Sequence, residues 1–293
     1  MAHHNQASDI GSVYDNRAES YDDSWHPRFA RHMVEIAKLK PGEAVLDLAC
    51  GTGLATLCAS AAVQEHGSVV GIDISAGMLA QATQKLQHHN INNVELHQHS
   101  ITDLDQLPEL NGKQFDAILC CSALVLLQDP GAAIKQWATY LKPGGRIVVD
   151  VIHPQDQLPG ITFERVGKRC NLPVPFYRLN FGGPEDLRQM CEQAGLTRVE
   201  ILSVSQIDRP ELNDLKDFLT DIDTPRPCRE YDLKEAECIF DAHVDGPATR
   251  HLGRPQVREE AKKIFKDEWA KLADKQGKIK QVDCVFVAVA SRP

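Results

Sequence analysis

Nothing in this 293-residue chain approaches the roughly 18 consecutive apolar residues that a membrane helix needs; runs such as 117–119 and 285–290 stop far short. The N-terminus, Met-Ala-His-His-Asn-Gln, lacks the apolar stretch of a secretory signal. Positive charge is also short, with 32 Lys and Arg against 41 Asp and Glu for a net charge of −9. Nucleic acid is therefore not the expected partner, because phosphate contacts need clustered cations. There is no Cys-x-x-Cys, and the nine cysteines are odd in number and scattered. That excludes a disulfide framework or a structural zinc site and predicts reduced thiols in the cytoplasm. Repeats and low-complexity tracts are absent, and aromatics are only 6%.

What is there is an ordinary globular mixture, 42% hydrophobic and 25% charged, with length enough for about two domains. Phe29, Met33, Ile36 and Ala37 fall at helical spacing, and Pro41-Gly42 stops that helix. Residues 44–48 form an apolar run suited to a buried parallel strand, followed by glycines and a small-residue helix from about Leu54. The alternation continues with strands at 68–74, 94–97, 115–121 and 146–151. Ser75 caps a helix over 78–86, and Asp129-Pro130 opens one that ends at Lys142-Pro143-Gly144-Gly145. A helix over 184–194 leads to a strand at 199–204, and 282–290 closes the chain as a last strand. Between them, 209–280 is richly charged and contains an amphipathic helix bearing Phe265 and Trp269. This order predicts an α/β doubly wound sheet: a helical lid over 1–40, a cofactor-binding core over 41–208, a helical cap inserted over 209–280, and the core's final strand over 281–293.

The chemistry concentrates in Val45-Leu46-Asp47-Leu48-Ala49-Cys50-Gly51-Thr52-Gly53. Glycines at a strand-to-helix turn let backbone approach a ligand at the carboxyl end of the sheet. Thr56 stands where a dinucleotide fingerprint has glycine, and Asp47 would repel a pyrophosphate but hold an ammonium. Asp73, twenty residues past Gly53, is placed to accept from both hydroxyls of a ribose. A ribose plus an amine without phosphates is S-adenosylmethionine.

The chain here resembles the class I S-adenosylmethionine-dependent methyltransferases, within the ubiquinone/menaquinone-type small-molecule group. The resemblance runs from Tyr14 to Val151, about half the chain, and looser likeness extends through 184–204 and the final strand. It rests on Tyr14-Asp15 with Ala18-Glu19-Ser20-Tyr21-Asp22, the Asp47 to Gly53 loop, Gly71-Ile72-Asp73-Ile74-Ser75 with Met78, Phe115-Asp116, and Leu141-Lys142-Pro143-Gly144-Gly145. It implies a seven-stranded, mostly parallel, Rossmann-like sheet with the last strand antiparallel. It also implies that Asp47, Ala49, Gly51 and Gly53 surround the methionine part and Asp73 the ribose. Ile74 and Met78 would sandwich the adenine, a residue around Cys120 and Cys121 would lie beneath the sulfonium, and Tyr14 and Tyr21 would close over it. Ala49 replaces the usual first glycine. Ser100 replaces an Asp that contacts the adenine amine, so its hydroxyl or the Ile101 backbone substitutes. After the fourth strand, Leu124-Val125-Leu126-Leu127 replaces a frequent histidine.

An activated methyl needs alignment more than acid or base help. Cys120-Cys121-Ser122-Ala123 lacks the Asn/Asp-Pro-Pro of base-modifying enzymes, the carboxylate of magnesium-dependent ones and the paired glutamates of protein-arginine enzymes. A metal-free methyltransferase acting on a small molecule at O, N or C is the expectation. His153 and then His26 are the candidate bases. Phe218, Tyr231, Phe240, His243, Phe265 and Trp269 either line an apolar or aromatic acceptor pocket or form the cap's own core, the second being preferred for Phe265 and Trp269. His97 and His99 share a strand face without a third ligand and read as solvated. A second function stays open: a relative that binds the same cofactor for a cyclisation or isomerisation without methyl transfer. The sequence sets neither the acceptor nor the oligomeric state.

Overall fold

The computed structural model describes residues 6–205, 209, 212–225 and 227–293; the polar residues 1–5 and the expected boundary residue 208 lie outside them. The strands are β1 (Ala44–Leu48), β2 (Ser68–Asp73), β3 (Val94–Gln98), β4 (Phe115–Cys120), β5 (Leu141–Ile152), β6 (Thr197–Ser205), β7 (Leu219–Thr220), β8 (Pro227–Asp232), β9 (Lys278–Val282) and β10 (Cys284–Ser291). The helices are α1 (Gln6–Asp15), α2 (His26–Ala37), α3 (Leu54–Val63), α4 (Ala76–His88), α5 (Pro130–Thr139), α6 (Leu158–Arg169), α7 (Pro184–Gln193), α8 (Leu215–Phe218), α9 (Ala236–His243) and α10 (Arg258–Ala270).

The main sheet runs β3-β2-β1-β4-β5-β10-β6-β7. Its first five strands are parallel, and β10 is antiparallel to both β5 and β6, as expected of the last strand. It has eight strands, not the seven expected, because the two-residue β7 pairs Thr220 with Ser203 and Leu219 with Val204 at the edge. So short a strand carries no periodicity to read. The order reverses between β1 and β4, whose carboxyl ends therefore diverge into a crevice, the usual ligand site of such sheets.

Side-chain parity sorts the two faces. Val45, Ala117, Leu119 and Val148 pack with Phe29 and Met33 of α2 and Ala55 and Ala59 of α3. Leu46, Ile118, Cys120 and Val149 pack on the other face with Trp137 of α5 and Leu187 of α7. The expected caps form: Ser75 Oγ accepts from the Met78 N–H at 3.1 Å, and the Asp129 carboxylate accepts from the Ala132 N–H at 2.9 Å with Pro130 in the first turn.

A separate core unites Leu158, Phe163 and Val166 of α6 with Tyr231, Phe240, Phe265 and Trp269. Phe265 is fully buried, with ring centroids 4.8 Å from Phe163 and 5.7 Å from Trp269. These aromatics fill the cap itself. The pocket reading of them is thereby corrected: Phe218 packs under α2 against His32 at 4.4 Å, and His243 Nδ1 bonds its own helix at Ile239 O, 2.8 Å away.

Candidate functional site

A cavity of about 510 Å³ opens over the carboxyl ends of β1, β2 and β4. A smaller one of about 30 Å³ adjoins it, and Tyr21, Ala49, Gly51 and Cys121 wall both. The β1 run is apolar enough to bury completely, and its exit into α3 turns through Ala49 (φ +54°), Gly51 (φ +56°) and Gly53 (φ +81°). That left-handed stretch keeps backbone, instead of side chains, against the cavity.

Asp73 ends β2 and is pinned by two backbone donors: Oδ2 accepts from the Gly51 N–H and Oδ1 from the Ser75 N–H, both at 2.8 Å. Burial pushes its carboxyl up, against those two hydrogen bonds. Each oxygen keeps a further lone pair, so two adjacent hydroxyls can be accepted side by side. Ile74, Met78, Ser100 and Ile101 continue the same wall.

Asp47 is fully buried on the α2/α3 face of β1. Its Oδ2 accepts from Thr56 Oγ1 at 2.5 Å, while Oδ1 has no partner among the described residues. Burial pushes this carboxyl up to about 7. A buried carboxylate oxygen without a donor is costly unless a ligand supplies one, and an ammonium in the small cavity does so. The residues present thus fit the methionyl end of S-adenosylmethionine, and Asp73 fits its ribose. Thr56, notable in the sequence only for not being glycine, is what orients Asp47.

The N-terminal segment is tied down by two carboxylates. Asp15 accepts from Ser75 Oγ at 2.5 Å and from the Gly77 N–H at 2.9 Å, at the start of α4. Asp22 accepts from Thr52 Oγ1 at 2.6 Å and pairs with Lys85. Tyr14 and Tyr21, each next to one of these carboxylates, meet edge to face at 6.1 Å, with the Arg17 guanidinium 5.4 and 5.5 Å from their ring centroids. Both tyrosines wall the large cavity, and burial raises both hydroxyls. The ties escaped sequence reading because the partners lie 30 to 63 positions apart, beyond any local pattern.

The other candidates are dispersed. Cys120 packs into the α5/α7 face, and its neighbour Cys121 reaches the cavities, as strand parity requires. Gly53 caps α3 and walls neither cavity. His153 is also outside both: its ring lies 5.3 Å from Phe286 and its Nδ1 accepts from the Gln155 N–H at 3.0 Å. His26 walls the small cavity beside Asp47, and burial lowers it to about 4. His99 bonds the Asp103 carbonyl at 2.7 Å. Leu126 and Leu127, from the apolar run after β4, also wall the large cavity, with Ala132 and Gln136 of α5, which no motif had marked.

A model described as a methyltransferase domain matches residues 39–195, more than half of the sequence. The chain belongs to the methyltransferase-domain family. It is an S-adenosylmethionine-dependent methyltransferase acting on small molecules. It is 30% identical to the demethylmenaquinone methyltransferase of Staphylococcus haemolyticus over 68% of this chain and 87% of that one. It is 28% identical to aklanonic acid methyltransferase DauC of Streptomyces sp. (strain C5), covering 47% of this chain and 62% of the other. Among solved structures, a cyclopropane-fatty-acyl-phospholipid synthase-like protein from Lactobacillus casei shares the fold of this methyltransferase, with a TM-score of 0.55 at 17% identity and 90% coverage of each chain. Among the described residues no helix is long and apolar enough to cross a membrane.

Proposed function

We propose that the acceptor of this methyltransferase is an apolar, ring-bearing molecule that lies against Tyr14 and Tyr21 and presents an oxygen, nitrogen or carbon nucleophile. Bound S-adenosylmethionine supplies an electrophilic methyl group on a sulfonium. The observation that carries the reading is the junction of the two cavities, where Tyr21, Ala49, Gly51 and Cys121 are shared. With the ribose on Asp73 and the ammonium on Asp47, the sulfonium belongs at that junction, and the paired tyrosine rings are the adjacent wall. Flat aromatic faces recognise rings by edge and offset contacts and exclude water from the transfer. Cys121 stays a neutral thiol there, since burial holds it well above its ordinary value.

Catalysis in this reading is alignment. His153, turned onto Phe286, takes no part, and an unsubstituted rate for His153→Ala is expected. Nine free cysteines support a reducing compartment, the cytoplasm. The test is an acceptor panel read out by S-adenosylhomocysteine formation, headed by demethylmenaquinone and aklanonic acid, the acceptors in the relatives' names. Turnover confined to ring compounds is expected. Turnover of linear amines or phospho-bases instead would overturn the acceptor class, and consumption of an acceptor without by-product would overturn methyl transfer to it.

A further inference from the structure

Beside Asp47, a second side chain in the wall of the small cavity can accept from an ammonium, one that the sequence marked only as a candidate base. The second is His26. Its ring is stacked on Trp25 at 4.0 Å and lies 4.3 Å from Tyr21, which fixes its plane as a wall of the cavity shared with Asp47, Gly51 and Thr52. The tautomer follows from counting protons. Ser24 Oγ has one hydrogen, which it donates to the Tyr21 carbonyl at 2.7 Å. Towards His26 Nδ1, also 2.7 Å away, that oxygen can only accept. The imidazole proton is therefore assigned to Nδ1, which leaves Nε2 its lone pair. Nε2 is the one polar atom this ring can offer to a ligand.

We propose that His26 is a cofactor-binding residue, a neutral acceptor whose Nε2 receives one N–H of the methionyl ammonium while Asp47 Oδ1 receives another. The inference rests on the cofactor assignment and replaces the expectation that His26 acts as a base. The groups around the ring are consistent with it. Burial and the Arg17 guanidinium both hold the imidazole in its neutral form. Asp22 pulls the other way, but its carboxylate is already bonded to Thr52 and Lys85. A neutral imidazole acceptor in this wall favours an ammonium and offers nothing to a carboxylate, so it orients the amino-acid end of the cofactor. Asp47 supplies the charge and His26 the direction.

Calorimetric binding of three ligands to the full chain tests this: S-adenosylhomocysteine, its decarboxylated analogue, which keeps the amine, and 5′-methylthioadenosine, which has neither amine nor carboxylate. His26→Phe keeps the stacked ring and removes the acceptor; His26→Gln restores an acceptor oxygen. His26→Phe is expected to weaken the first two ligands by roughly 10- to 100-fold, the range of a hydrogen bond to a charged group. It should leave 5′-methylthioadenosine within about twofold, a result that also reports an intact fold, and His26→Gln should recover most of the loss. Equal weakening of all three ligands would overturn the proposal in favour of a purely structural ring. So would loss for S-adenosylhomocysteine with none for the decarboxylated analogue, because the partner would then be the carboxylate.

Discussion

The cofactor crevice and the cap are built on opposite plans. The crevice is made of short side chains and backbone turned left-handed, with buried carboxylates whose partners are N–H and hydroxyl groups. The cap is made of rings: Phe163, Phe240, Phe265, Trp269 and Tyr231 pack on one another. One region stores polar groups for a ligand to satisfy, and the other closes on itself through ring contacts. Aromatic residues in a helical insertion are thus poor evidence of a binding pocket, because an inserted unit needs a core of its own before it can shape anything.

Truncation inside the cap should break the comparison most visibly if the two regions are not independent. Phe265→Ala removes a fully buried ring, and such truncations cost about 3–5 kcal/mol. A lowered unfolding midpoint is expected, with S-adenosylhomocysteine affinity at 20–25 °C within about twofold of the parent. Affinity falling in step with stability would show the cap core and the crevice to be one cooperative unit. The mirror experiment is Asp73→Ala, which removes the proposed acceptor of both ribose hydroxyls. Loss of about 100-fold in affinity is expected, two charge-assisted hydrogen bonds being at stake. Here 5′-methylthioadenosine should suffer as much as S-adenosylhomocysteine, the reverse of the pattern expected at His26.

The crevice was legible in the sequence where local rules decide the structure. The run 44–48, the glycines after it and the serine cap at Ser75 each act within a few residues, so strand, turn and helix followed from them, and Asp73 with them. What depends on parity or distance was not. Placing the cavity-facing thiol at Cys120 or Cys121 needs the strand end known to a single residue. α6 escaped because Pro159 and Gly160 in its first turn read as a loop, although Pro there is compatible with a helix. Its partners lie some hundred residues later in the chain, and no local pattern announces a core shared by α6, α9 and α10. The antiparallel β8–β9 pair is a long-range pairing of the same kind, joining Tyr231 to Ile279.

The N-terminal segment belongs to the crevice in this comparison, and its ties give a sharper test. Asp22→Asn keeps the hydrogen bond from Thr52 but removes the ion pair with the partly buried Lys85. Dissociation of S-adenosylhomocysteine should quicken by roughly fivefold with little change in association, the behaviour of a closed strap loosened. An unchanged dissociation rate would mean that ligand leaves without the segment moving.

Buried acids supply a pH signature. Asp47, Asp150 and Asp156 are each raised by burial to about 7. A carboxyl raised in the folded state binds more protons folded than unfolded, so the stability it contributes is full at pH below the unfolded value near 4 and is lost as pH rises through 7. The ligand-free protein should accordingly melt lower at pH 7.5 than at pH 5. Asp47→Asn should shrink that difference, and a ligand ammonium should offset it, because pairing with Asp47 favours the ionised form. A difference unaltered by Asp47→Asn would place the effect in the other buried acids, Asp73, Asp150 and Asp156.

The smallest effect expected lies at the junction of the cavities, and it tests whether the crevice has been held at a cost in strain. Ala49 has φ +54°, a left-handed conformation that opposes its Cβ by about 1–2 kcal/mol. Glycine removes that opposition and gives back roughly 0.5–1 kcal/mol through the freedom it adds to the unfolded chain. Ala49→Gly should therefore stabilise the fold by about 0.5–1 kcal/mol, with cofactor affinity within about twofold. The Cβ does have one compensating role open to it, since Ala49 packs against the α5/α7-side core and walls both cavities. If the glycine variant is less stable, that packing outweighs the strain. If it is stable but binds the cofactor loosely, the methyl group is what keeps the turn from adopting other shapes, and alanine at this position serves the ligand before it serves the fold.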